Sequence, residues 1–126
     1  MVNNPYMQYK QTSILTASSE NLTLMLYDEC LKQIRIAKKY IEEKDIEKKN
    51  SALQKAQDII TELMSTLDMS YEISFNLMRL YEFVCRLLVH ANIHNTTKEL
   101  DDALDLITEL REAWAEAIII HRRDSN

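Results

Sequence analysis

The sequence predicts an all-α protein, an antiparallel up-down four-helix bundle with an N-terminal arm or short helix. Three observations carry this. The 126 residues include no glycine, where average usage would give roughly nine. Glycine supplies the positive φ of tight hairpins, so its absence removes most β-turn chemistry. The single proline is Pro5, and nothing from Tyr6 onward forbids a helix. Apolar residues then recur at steps of three and four in four successive stretches. Hydrophobic residues make up 46% of the chain, too many for a disordered one.

The first helix is expected to start at Ser18, a good N-cap, with Glu20 in its first turn, where a negative charge suits the helix dipole. Leu22, Leu26, Cys30, Ile34, Ala37 and Ile41 form its buried stripe, and Glu42-Glu43-Lys44 ends it. Asp45 can cap the second helix, whose stripe is Ala52, Ala56, Ile59, Ile60, Leu63 and Leu67. The third begins after Asp68, with Ser70 as its expected cap. It carries Ile73, Leu77, Leu80, Val84, Leu87, Leu88 and Ala91. The fourth has the clearest start: Thr96-Thr97-Lys98-Glu99 reads as a capping box. Its stripe is Leu100, Ala103, Ile107, Leu110, Trp114 and Ala117. Helices of roughly 20 residues, joined by short connections, favour antiparallel neighbours. The expected organisation is an arm over residues 1–17, a bundle over 18–121 and a tail over 122–126.

Composition narrows the function. Without glycine there is no dinucleotide fingerprint, phosphate loop or nucleophile elbow. A formal net charge of −5 argues against nucleic-acid binding driven by clustered cations, and against a basic membrane-surface helix. No apolar run approaches membrane-spanning length and the first residues hold no secretory h-region, so a cytoplasmic protein is expected. Cys30 and Cys85 lack metal-ligand spacing and read as small reduced hydrophobes. His90 and His94 lie one turn apart but belong to no zinc or di-iron motif, so no metal, cofactor or catalytic residue is expected.

The helices carry more apolar rows than a bundle requires. Leu24, Tyr27 and Leu31 form a second row on the first helix. On the fourth, Leu106, Ala113 and Ile120 flank the stripe on one side, Leu104 and Ile119 on the other. Phe75 and Phe83 fall off the main face of the third. Plain packing under the arm and partner binding both account for such rows.

The residues also resemble a known family. Thr16-Ala17-Ser18 followed by Leu22-Thr23-Leu24-Met25-Leu26-Tyr27-Asp28 is similar to the opening of the flagellin-export chaperones, the FliS family. Asn4-Pro5-Tyr6 with Tyr9, Lys55-Ala56-Gln57, Leu67-Asp68, Glu72-Ile73, Leu80-Tyr81 and Leu110-Arg111-Glu112-Ala113-Trp114 extend the resemblance in order along the chain. Ser19, Glu29, Ser70-Tyr71 and Leu87 depart from residues common in that family.

The resemblance implies a cytosolic export chaperone with no enzymatic activity. It would bind the disordered C-terminal segment of flagellin, prevent premature polymerisation and deliver the subunit to the flagellar type III export gate. A co-chaperone in the complex, and a monomer or weak homodimer without client, are compatible with it. A generic helical adaptor or oligomerisation module is the alternative, and a helical-bundle ribonuclease built on Arg86 and His90 a weaker one. The expected partner-binding residues are Tyr6, Tyr9, Leu24, Tyr27, Leu31, Leu104, Leu106, Ala113 and Trp114. Tyr6 and Tyr9 are expected to cover apolar surface in the free protein and shift when client arrives. Leu106→Glu is expected to weaken client binding with little loss of stability.

Overall fold

The computed structural model describes residues 19–124. Four helices follow in order: α1 (Ser19–Glu42), α2 (Ile46–Ser65), α3 (Glu72–His94) and α4 (Lys98–Asp124). Each packs chiefly on two neighbours, α1 on α2 and α4, and α3 on α2 and α4. The short connections force consecutive helices to run antiparallel. Cross-helix contacts fix the α1–α4 register. Trp114 lies at Glu20, Arg111 at Asp28 and Asp101 at Lys38. The α4 helix continues to Asp124, beyond the expected boundary at 121.

A glycine-free chain must close its turns with other residues. Lys44, at φ 60°, takes the left-handed position after α1. Its N–H donates to the Ile41 carbonyl, and the Asp45 N–H reaches back to that of Tyr40. This is a Schellman stop without its usual glycine. Asp45 then caps α2 as expected, accepting from the Lys48 N–H at 3.1 Å. Asn95, at φ 55°, closes α3 in the same left-handed region.

The α3 cap differs from expectation. Tyr71, not Ser70, holds the N-cap position and makes no side-chain cap. The Ser70 hydroxyl is turned back onto Asp68, to which it donates at 2.6 Å. That bond, with the Ser70 N–H, holds the Asp68 carboxyl below its ordinary range. At α4, Thr96 and Glu99 meet side chain to side chain, and the helix starts at Lys98. The Thr96 hydroxyl is the main cause of a lowered Glu99 pKa, and His90, 3.2 Å away, adds to it.

The core follows the expected stripe on α1 and most of those on α2 and α4. Leu53 and Ile118 are buried outside the expected stripes, Ala117 is exposed and Leu67 falls beyond the end of α2. The larger, systematic shift is on α3. Its buried residues are Ser74, Tyr81, Val84, Leu88 and Ala91, while Ile73 is exposed. The α3 stripe is therefore rotated by about 40° from the apolar reading. Tyr81 turns inward because its hydroxyl finds that of Tyr27 at 2.6 Å across the bundle interior. Burial pushes both phenols up. Cys30 is buried and Cys85 half-buried, both free thiols, and burial raises the pKa of Cys85.

Candidate functional site

Two of the expected partner-binding residues are structural. Tyr27 and Leu31 are buried in the core. The row they form is not spare: α1 lies between α2 and α4, and a helix with two neighbours buries a face about twice as wide as one stripe. Tyr27 also reaches α3 through its hydroxyl. These two positions are unsuited to client contact.

The other expected residues divide. Leu24 is half-buried on α1. Leu104 and Leu106 are half-buried and packed against the core, so neither is a free surface residue. Ala113 is exposed. Trp114 is half-buried, and its indole N–H donates to the Glu20 carbonyl at 2.9 Å. Tyr6 and Tyr9 lie outside the described residues.

Helical spacing places Leu106, Ala113 and Ile120 on the α4 flank nearer α3, with Leu104 toward α1. The His90–Glu99 contact sets the α3–α4 register. At that register Phe83 lies level with Leu106 and Asn76 with Ala113. An apolar band therefore follows the seam between α3 and α4. Its exposed members include Ile73 at 60%, Phe83 at 44% and Ile120 at 41%. Half-buried Leu77, Leu87, Leu106 and Leu110 pack beneath it against the core.

The band continues onto the outer face of α3, where Phe75, Val89 and Ile93 are exposed. Arg86 stacks 5.7 Å from the Phe83 ring centroid, an apolar surface with a cationic edge. Val89 and Ile93 were missed in the sequence reading. Ile93 sits nearly opposite the buried stripe and Val89 on its flank, a placement a helical wheel of α3 makes visible once Tyr81 is assigned inward.

A separate cleft of about 250 Å³ lies at the α1–α4 end of the bundle, lined by Glu20, Trp114, Ala117, Ile118 and His121. The first turn of α1, which holds Glu20, forms one wall of this cleft. Arg122 and His121 each lie 3.6 Å from the Glu20 carboxylate, which lines the cleft.

Among the described residues no cluster of three or more His, Cys, Asp or Glu side chains could hold a metal ion. His90 and His94 pack ring against ring at 4.3 Å, and His90 is engaged with Glu99. No described helix is long and apolar enough to cross a membrane. The arrangement suits the burial of an apolar partner surface.

Comparison with known proteins gives a consistent result. The model of the family described as "Flagellar protein FliS" matches residues 2–121. The chain is 46% identical over 123 residues to the flagellar secretion chaperone FliS of Bacillus subtilis, covering 98% of this chain and 92% of that protein. It is 32% identical over 107 residues to the protein of that name in Salmonella typhimurium, covering 82% and 79% of the two chains. It is 34% identical over 113 residues to the flagellar secretion chaperone FliSB of Pseudomonas aeruginosa, covering 85% and 90%.

Proposed function

The chain belongs to the FliS family of flagellar secretion chaperones, and from that premise we propose that it binds the disordered C-terminal segment of flagellin. Bound there, it keeps flagellin from polymerising in the cytoplasm and hands it to the flagellar type III export gate. The observation that carries this reading is the exposed apolar band over α3 and the α3–α4 seam. A soluble filament subunit must hide the face that later packs against its neighbours. An amphipathic helix laid along an apolar groove hides such a face.

The reading explains why no catalytic machinery is required. Coupled folding spreads contact over a large area, while ordering entropy holds the affinity down. A cargo that must be released needs that balance. The arm over residues 1–17 has a role in the same scheme. Tyr6 and Tyr9 cover apolar surface in the free protein and give way to client.

Isothermal titration of the full chain with the C-terminal segment of its own organism's flagellin tests this. Saturable one-to-one binding with a large negative heat-capacity change is expected. No heat with either reactant in the tens of micromolar would overturn it. Removal of residues 1–10 should change the affinity, and an unchanged value would end the switching role of the arm.

A further inference from the structure

The α1–α2 side of the bundle carries a surface of different chemistry. Between Lys32 and Lys55 stand eight basic side chains against four acidic ones, in a chain of net charge −5. Lys49 and Lys38 are tied into contacts between helices. Lys49 is buried, donating to the Asn92 carbonyl at 2.9 Å and to Asn95 Oδ1 at 2.6 Å. Lys38 pairs with Asp101 at 2.8 Å. Others border a groove of about 330 Å³ between the helices.

The groove has an ordered layout. Ile36 and Ala52 line its middle, Lys32 and Lys55 stand toward one end, and Tyr40 and Lys48 toward the other. This follows from antiparallel packing, in which the end of α1 meets the start of α2. The Tyr40 ring gathers cations: the Lys48 ammonium is 5.4 Å from its centroid and that of Lys39 is 5.7 Å. The carboxylate on Lys48, Asp45, is at a long 3.9 Å and also caps α2. The Tyr40 ring thus helps hold the Lys48 ammonium beside the apolar floor of the groove.

We propose that this groove docks an acidic amphipathic segment of a partner protein. Lys48 and Lys55 are seven residues apart on one helix, about 10 Å along its axis. The matching ligand has two carboxylates that far apart, at i and i+7 of a helix, with an aliphatic side chain between them over Ile36 and Ala52. Charge complementarity selects this occupant. A nucleic-acid backbone would carry its phosphates past the groove onto a predominantly acidic molecule. The site is independent of the α3 band and of the chaperone reading.

The test uses the full chain and a fluorescein-labelled, alanine-based helical peptide with glutamates at i and i+7 and leucine midway. Anisotropy should show saturable binding that weakens as salt rises. Lys48→Glu with Lys55→Glu should weaken it at least tenfold; both side chains are exposed, and melting curves check the fold. Arg79→Glu with Arg123→Glu, the same charge change at exposed sites elsewhere, should leave it unchanged. The glutamine-for-glutamate peptide should not bind. Retained affinity in the Lys48/Lys55 variant, or equal losses in both variants, overturns the proposal. So does equal binding of a single-stranded oligothymidylate. Self-association by sedimentation that the Lys48/Lys55 variant abolishes would make a second copy of the chain the occupant, and would also overturn it.

Discussion

Tyr27 and Tyr81 show what a single side chain decides in this protein. Each is almost wholly buried, and each hydroxyl has the other as its partner. Removing one oxygen leaves the other buried without a bond, which costs about 1–3 kcal/mol, whereas removing both can be nearly neutral. Tyr27→Phe and Tyr81→Phe should each lower the unfolding free energy by roughly that amount. The double variant should lose clearly less than the two single losses combined. Chemical denaturation of the four proteins measures this, and additive losses would show that the bond contributes nothing. Apolar spacing did not reveal the pair. Tyrosine fits both a surface and a core, and the choice was settled by a residue 54 positions away in sequence. Assigning Tyr27 to the surface and Ile73 to the core were two forms of one error. In contrast, the Asp45 cap was legible because a cap needs only its own turn. Thr96 and Glu99, however, meet only through their side chains, and α4 starts at Lys98, later than a capping box on Thr96 implies.

At the scale of elements, helix number, order and type followed from the absence of glycine and the regular stripes. The ends were harder to place for the same reason. Without glycine, left-handed stops fall to Asn95, a residue type that takes this conformation readily, and to Lys44, one that does not. Asn95 is further held by Lys49, whose ammonium ties α2 to the last turn of α3, where the helix dipole favours a cation. Lys44 is exposed, and its left-handed backbone is its principal cost to the fold. That cost is about 1–2 kcal/mol for a residue with a Cβ. Glycine would remove it, although the looser unfolded chain returns about 0.4–1 kcal/mol. Lys44→Gly should therefore raise stability by about 0.5–1 kcal/mol. That corresponds to a Tm higher by about 2–4 °C. Lys44→Ala keeps the Cβ and should bring no such gain. Calorimetric melting of the three proteins distinguishes them, and a Tm for Lys44→Gly at or below the parent would show that Lys44 is unstrained.

Across the whole molecule, core and surface apolar residues are separable, and the separation decides where client binding can be tested without unfolding the protein. Leu106 is a poor probe. It packs against the core, so a charge there costs stability and confounds any loss of binding. Phe83 lies at the same level of the bundle on α3, but is 44% exposed beside the Arg86 guanidinium. An exposed position of this kind changes folding stability by about 0.5 kcal/mol or less. A buried aromatic anchor at a binding surface contributes about 2 kcal/mol or more, which is some thirtyfold in Kd. Phe83→Glu should therefore melt within about 2 °C of the parent while binding the flagellin segment some 10–30-fold more weakly. Lys55→Glu on the opposite side should leave that affinity unchanged. Titration calorimetry and a melting curve on each variant suffice. If Phe83→Glu binds as well as the parent, the client lies elsewhere, and the cleft around Trp114 at the start of α1 becomes the surface to alter next. If Phe83→Glu unfolds, Phe83 supports the core and the α3 band is part of the fold.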